Sequence, residues 1–341
     1  MLEVDRETKA DLQSSRCTAE GSYDIHGIKV KIRSNTEALV SRFNRTYEPY
    51  CVPAPIAPGL EMTVLVGEGG PNDVESRQIY VRVPVSFDWP IHRLFLLPNL
   101  FNEIFQELQP QEGPGEAKYR YYRIGKVEVW VKECFWALEY MVFAFVMHHL
   151  PHLVTLHSSS VSQDGKSLIF FGNSGGGKST LSYALARRGF QHMGDERGLF
   201  APASLEMYPF HRGLLFKSGA FGLFPELGSV PNEDIIAQDE RSRHFGAKSL
   251  GIQLASKPAR PSFLFFISNQ PGATPQVTPL SAPEAAQLLE QAKGVFPYAP
   301  RESRNYTRQE AVWALCNYAR CYRLVSGDLD RTTALVESVL R

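Results

Sequence analysis

The chain has 341 residues, 43% of them hydrophobic, and its 36 lysines and arginines balance 36 aspartates and glutamates. This length suits two domains. The balanced charge and the lack of a strongly basic stretch give no reason to expect binding to nucleic acid or to an anionic membrane. Five scattered cysteines form no CxxC pair, which is typical of reduced thiols in a cytoplasmic protein.

The N-terminal part, residues 1–117, is predicted to be an α+β module that is mostly β-structure and is a possible substrate-docking surface. Its first 20 residues are polar and lack the apolar core of a secretory signal. The expected elements are a strand or hairpin over 23–34, a short helix at Leu39–Tyr47, a proline-rich connector over 51–59, strands at 62–66 and 79–85, and a loop followed by a helix over 92–108. The Pro- and Gly-rich segment 110–117 is the expected linker.

A second domain is predicted over residues 118–341, in the α/β class. It should open with a hairpin over 119–131, followed by a helix at Glu133–His149 and a second hairpin over 153–171 with its turn at Asp164-Gly165. The helix contains an apolar run that Glu139 interrupts, and the run is too short to cross a bilayer. We therefore expect a helix buried within the protein, and no membrane partner.

A glycine-rich loop follows the last predicted strand and satisfies the pattern GxxxxGK[ST] at every position. It comprises Gly172, Asn173, Ser174, Gly175, Gly176, Gly177, Lys178, Ser179 and Thr180. An apolar strand precedes it and a helical pattern follows, which is the context that this P-loop motif requires. Backbone N–H groups of such a loop surround phosphate oxygens, the lysine reaches the β- and γ-phosphates, and the serine hydroxyl binds Mg²⁺. The motif therefore predicts binding of ATP with Mg²⁺.

An acidic pair, Asp195-Glu196, stands shortly after the helix that follows the loop. Two adjacent carboxylates beside a nucleotide could serve as Mg²⁺ ligand and as catalytic base. The chain has neither the NKxD guanine-binding sequence of GTPases nor an LSGGQ-type sequence of ABC ATPases. The remaining pattern favours a kinase.

These residues resemble the catalytic domain of HPr kinase/phosphorylase, and more closely the HPr-kinase-related kinases. The pattern consists of His157, the P-loop, Arg187-Arg188-Gly189 and Asp195-Glu196, and the intervals from His157 to the loop and from Lys178 to Asp195 also match. The chain departs from the family at Thr180, where a glutamate is usual, and at Glu196, where an aspartate is usual. The resemblance covers about residues 130–330.

The resemblance implies an α/β P-loop kinase domain of the HPr kinase type and assigns roles to individual residues. Asp195 would be the general base, and His157 would orient or tune the acid. Ser179 and Glu196, together with Asp195, are the expected Mg²⁺ ligands. Arg212 and Lys217 would lie near the phosphates or the substrate. The implied reaction transfers the γ-phosphoryl group of ATP to a Ser/Thr hydroxyl of a protein or peptide, and the family's assembly implies a possible homo-oligomer.

Two other functions remain open from the sequence. One is a kinase that acts on a small molecule, and the other is a nucleotide-gated binding or assembly module that transfers no phosphate. If Asp195 pointed away from the P-loop, the nucleotide-gated module would be favoured. In each case we expect a soluble cytoplasmic protein that does not bind nucleic acid.

Overall fold

The computed structural model describes residues 17–53, 57–66, 79–84, 105–108, 119–124, 134–238, 240–292 and 294–340. The chain forms two compact units, Met1–Val146 and Met147–Arg341. Both units combine helices with β-sheets, so the predicted mixed α/β class is confirmed.

The first unit is built on a six-stranded sheet with the order β1-β2-β3-β4-β6-β5. The strands are β1 (Ala19–Ile25), β2 (Ile28–Ser34), β3 (Leu60–Val66), β4 (Ile79–Pro84), β5 (Phe105–Leu108) and β6 (Tyr119–Ile124). Only β2 and β3 pair in parallel, and the other neighbours within this sheet are antiparallel. Helix α1 (Glu37–Thr46) packs on the sheet through buried Val40 and Phe43.

Helix α2 (Cys134–His148) follows, and its last residues belong to the second unit. Glu139, the charge within its apolar run, is buried and accepts a 2.5 Å hydrogen bond from the Tyr47 hydroxyl. This bond supplies the partner that a buried carboxyl group requires. Among the described residues, no helix combines the length and apolarity needed to span a bilayer.

Several predictions for the N-terminal part agree with the structure, and two differ. The hairpin, the first helix and the strands near 62–66 and 79–85 are confirmed as β1–β2, α1, β3 and β4. The helix predicted up to Leu108 is wrong at Phe105–Leu108, because these residues pair with β6 as an edge strand. The domain boundary also lies later than residue 117, since β6 pairs with β4 of the first unit. Residues 125–131, the second half of the predicted hairpin, lie outside the described residues.

The second unit contains a six-stranded sheet with the order β10-β8-β9-β16-β19-β17. These strands are β8 (Ser159–Gln163), β9 (Lys166–Phe171), β10 (Gln191–Gly194), β16 (Arg260–Asn269), β17 (Gln276–Leu280) and β19 (Arg320–Ser326). The three central strands β9, β16 and β19 are parallel, and β8 and β17 pair antiparallel on either side. The predicted hairpin with its turn at Asp164-Gly165 is confirmed as β8–β9, and both turn residues have positive φ.

Apolar side chains cover both faces of this sheet, as expected for parallel strands. On one face, Phe170 and Phe265 pack with helices α3 (Lys178–Ala186) and α7 (Leu329–Val339). On the other face, Phe171 and Leu264 pack with α5 (Ala282–Gln291) and α6 (Arg308–Tyr318). The central sheet is therefore buried between two helical layers.

Two smaller sheets complete the second unit. The first has the order β12-β11-β7-β18 and contains β7 (Val154–Leu156), β11 (Gly198–Ala201), β12 (Glu206–Tyr208) and β18 (Val295–Phe296). The second has the order β13-β15-β14 and contains β13 (Leu214–Lys217), β14 (Ile235–Gln238) and β15 (Ser242–Phe245), with the short helix α4 (Ser218–Phe221) after β13. The continuous strand expected over 153–161 is thus divided at His157, because β7 joins one sheet and β8 joins another.

Truncation of Phe265 should strongly destabilise the second unit. Its ring is fully buried and stacks on Phe170 at 5.6 Å and on Tyr322 at 5.5 Å between centroids. We expect Phe265→Ala to lower the free energy of unfolding by about 3–5 kcal/mol, and Phe265→Leu by a smaller amount, because a cavity replaces the ring. Urea unfolding measures both values. Equal stability of Phe265→Ala and wild type would contradict this packing.

Candidate functional site

The glycine-rich loop connects the carboxyl end of β9 to the first turn of α3. Gly175 and Gly177 have φ values of 80° and 91°, and Gly177 is the N-cap of the helix. An L side chain at these positions would strain the backbone. The loop therefore leads directly into the N-terminus of α3, and a helix N-terminus is a position at which backbone N–H groups can bind phosphate.

The ammonium group of Lys178 lies across this loop. The side chain is only 4% exposed, and its Nζ donates to the carbonyl oxygens of Gly172 at 3.0 Å and Asn173 at 3.4 Å. These bonds give the buried cation hydrogen-bond partners. A phosphate group in the loop would offer the same ammonium a charge-assisted partner.

The acidic pair reaches the loop because β10 runs in the same direction as β9. β10 is antiparallel to β8, and β8 is antiparallel to β9. The carboxyl ends of β9 and β10 therefore meet at one edge of the sheet, where the P-loop and Asp195 begin. At Gly194 an added Cβ would lie 2.8 Å from the Arg197 carbonyl oxygen and 2.9 Å from that of Phe210, so only glycine fits.

Asp195 is 2% exposed and is held against the first turn of α3. The Ser179 hydroxyl donates to its carboxylate, with Oγ at 2.8 Å from Oδ1 and 2.9 Å from Oδ2, and the Leu215 amide donates to Oδ2 at 3.3 Å. Burial raises the pKa of Asp195 to about 6, and the charge of Glu196 adds to this, whereas the hydrogen bonds from Ser179, Leu215 and Ser159 oppose it. The carboxylate thus points toward the P-loop.

Glu196 has a different environment from its neighbour. Its side chain is 43% exposed, and its Oε2 lies 3.4 Å from Nε2 of His157, which stands between β7 and β8. Burial lowers the pKa of His157, while the charge of Glu196 acts in the opposite direction. Glu196 also has φ of 60°, an uncommon value for a residue with a side chain and one often found at functional sites.

The two cations expected near the phosphates occupy different places. Lys217, at the end of β13, donates from Nζ to Ser174 Oγ at 2.8 Å and so lies at the phosphate loop. Arg212 precedes this strand and lies near His244, whose pKa is lowered chiefly by burial and further by the charge of Arg212. Lys217 lines a cavity that opens over the loop. Arg212 is not among the residues that line this cavity.

A cavity of about 330 Å³ opens over the loop, within the size range of ligand sites. Its lining joins most of the P-loop to Glu196, Lys217, the carboxyl ends of β16 and β19, and residues that follow β19. The lining also includes Leu223, Ile267, Asn269, Ser326 and Leu329. In open α/β sheets, ligands bind at the carboxyl ends of the strands, and this cavity occupies that place.

Sequence reasoning missed the residues contributed by β16 and β19. Asn269 ends the apolar strand β16, and Ser326 ends β19. The sequence does place a polar residue at the carboxyl end of each of these strands. Ligands bind at the carboxyl ends of strands in open α/β sheets, so such residues are candidates for a binding site. Using this signal requires the strand order β9-β16-β19, which the sequence does not give.

The donor set at Ser179 and Asp195 is compatible with Mg²⁺. Both residues provide oxygen atoms, which this ion prefers. Among the residues that the structure describes, no three His, Cys, Asp or Glu side chains form a cluster suited to a metal ion. Mg²⁺ at this place would take its other ligands from phosphate oxygens and water, as is usual for the ion.

No protein-family model matches this chain, and no curated protein matches it significantly. We therefore assign a function from the geometry of the site and from the pattern of its residues.

Replacing Asp195 with asparagine should change the pH dependence of stability. Because burial raises the pKa of Asp195 from 3.8 to about 6, the folded state binds a proton more tightly than the unfolded state. Wild-type stability should then fall as pH rises through this window, whereas Asp195→Asn has no carboxyl group to ionise. We expect the stability of the variant relative to wild type to increase by up to about 3 kcal/mol between about pH 4 and pH 7.

Urea unfolding in buffers without divalent cations measures this difference. A stability difference that stays constant over the same pH range would show that Asp195 is not buried as a charged group.

Proposed function

We propose that the protein is an ATP-dependent kinase that transfers a γ-phosphoryl group to a Ser/Thr hydroxyl of a protein or peptide. The observation that carries this proposal is the double contact of Ser179 Oγ with Asp195, at 2.8 and 2.9 Å, beneath a cavity that Glu196 also lines. A P-loop serine bound to a buried acid is the arrangement expected of a Mg²⁺-nucleotide site. The resemblance to HPr-kinase-related kinases supports a P-loop kinase domain of that type.

Asp195 is better suited to holding Mg²⁺ than to accepting a proton. Both of its oxygens already accept hydrogen bonds, and the side chain is almost fully buried. A general base must come within hydrogen-bond distance of the hydroxyl group that it deprotonates. The geometry therefore favours Ser179 and Asp195 as the metal-holding pair.

Glu196 is the better candidate for the proton acceptor. It lines the cavity, its carboxylate is about half exposed, and His157 contacts Oε2 and can orient the group. The family resemblance implied the base role for Asp195 and a metal role for Glu196. We propose instead that Glu196 is the base and that Asp195 keeps only its metal role. His157 then acts as a positioning residue, because it contacts the base and not the substrate.

The cations of the loop would neutralise charge on the transferred group. Lys178 can exchange its carbonyl partners for phosphate oxygens, and Lys217 stands beside Ser174 at the opening of the loop. Bound MgATP supplies the transferable phosphoryl group and a divalent charge. The acceptor hydroxyl would approach from the side of Glu196, so that its proton passes to Oε1 or Oε2 of that side chain.

Transfer of label from γ-labelled ATP tests the proposed activity. Purified protein, Mg²⁺ and a lysate of the source organism should yield a discrete labelled protein or peptide, and Lys178→Ala should lower the rate by about 10²–10⁴. Lys166→Ala is the matched control, because it removes an exposed lysine from the opposite end of β9.

A labelled small molecule would instead favour a metabolite kinase. ATP binding without any labelled product would favour the nucleotide-gated module.

A second comparison separates the roles of the two acids. We expect Glu196→Gln to lower the transfer rate by about 10²–10⁴ while the affinity for ATP without metal stays unchanged. Asp195→Asn should weaken the dependence of ATP binding on Mg²⁺. Glu226→Gln is the control, because Glu226 is a similarly exposed partner of Arg187 in an ion pair outside the cavity. Full activity of Glu196→Gln would return the base role to Asp195.

A further inference from the structure

The cavity extends from the phosphate loop to the carboxyl ends of β16 and β19. Gly172 begins the loop beside β16, and an added Cβ there would lie 3.0 Å from the Ile267 carbonyl oxygen. Asn269 follows on the same strand. The Gln270 amide donates to the Ser326 carbonyl oxygen at 2.8 Å, which holds the ends of β16 and β19 together. We call the surface formed by Leu223, Ile267, Asn269, Ser326 and Leu329 the distal wall.

Two polar side chains of the distal wall form a directed pair. The Ser326 hydroxyl donates to Asn269 Oδ1 at 3.2 Å. The carboxamide N–H groups of Asn269 and the lone pairs of Ser326 Oγ remain able to bond a further molecule, since the two residues together carry more donors and acceptors than this bond uses. A donor beside an acceptor matches a heterocyclic base, whose edge carries both kinds of group.

The rest of the distal wall is aliphatic and uncharged. Leu223 is 52% exposed, an unusual exposure for a large apolar side chain, and Ile267 and Leu329 line the same cavity. The cations Lys178 and Lys217 instead contact residues of the P-loop. An uncharged wall with two hydrogen-bonding groups suits a base or ribose, whereas phosphate groups would find their partners at the loop.

We propose that the distal wall binds the nucleoside part of a nucleoside triphosphate whose phosphates occupy the P-loop. Asn269 and Ser326 bond the nucleoside, and Leu223, Ile267 and Leu329 pack against it. This inference rests on the proposed function, because it needs a nucleotide in the loop. It assigns nucleoside recognition to residues that stand far from the P-loop in sequence and outside the motif pattern.

Comparison of ATP with inorganic tripolyphosphate tests the assignment. Both ligands present three linked phosphates to the loop, and only ATP carries a nucleoside. Calorimetric titration at constant Mg²⁺ and salt would be made with wild type, Asn269→Ala, Ser326→Ala, Leu223→Ser and the control Asn317→Ala. Asn317 is an exposed asparagine on α6 that bonds the Trp313 carbonyl oxygen and does not line the cavity.

We expect each distal-wall variant to weaken ATP binding about three- to tenfold and to leave tripolyphosphate binding within about twofold of wild type. Asn317→Ala should leave both ligands unaffected. If the distal-wall variants weaken both ligands equally, or weaken neither, the assignment is overturned while nucleotide binding by the loop stands. If wild type binds neither ligand, the proposed function fails, and the inference fails with it.

Discussion

The contact between Ser179 and Asp195 is the interaction on which the site depends. A carboxylate that is 2% exposed needs hydrogen-bond donors, and the Ser179 hydroxyl and the Leu215 amide provide them. These bonds connect three segments of the chain: the first turn of α3, the residue that follows β10, and strand β13. Gly194, which directly precedes Asp195, packs closely against the carbonyl oxygens of Arg197 and Phe210. A side chain at position 194 would not fit there.

Charge is distributed unevenly along the cavity. Lys178, Lys217 and the helix N-terminus lie at the P-loop, Glu196 and His157 lie beside it, and the distal wall carries no charge. In the proposed complex this division would give a nucleoside triphosphate one orientation, because its phosphates and its nucleoside have opposite solvation requirements. The proposed proton acceptor, Glu196, then stands at the phosphate end of the cavity, where transfer would occur.

Prediction from the sequence succeeded where structure depends on neighbouring residues. The β8–β9 turn, the P-loop and the helices α1 and α2 follow from short patterns of glycine, turn residues and apolar spacing. Prediction was wrong at Phe105–Leu108, where pairing with β6 overrides a helical pattern. The single strand expected through His157 is likewise divided, because β7 and β8 join different sheets.

The sequence by itself determined the phosphate loop, since its glycines and the following Lys178 and Ser179 act through local backbone geometry. It also indicated the acidic pair by its interval from the loop. Only the tertiary structure separated the two acids, burying Asp195 against Ser179 and leaving Glu196 exposed beside His157. The distal wall also depends on the tertiary structure, because the strand order β9-β16-β19 brings the carboxyl ends of these three parallel strands to one edge of the sheet. Pairing between distant segments leaves no local pattern in the chain.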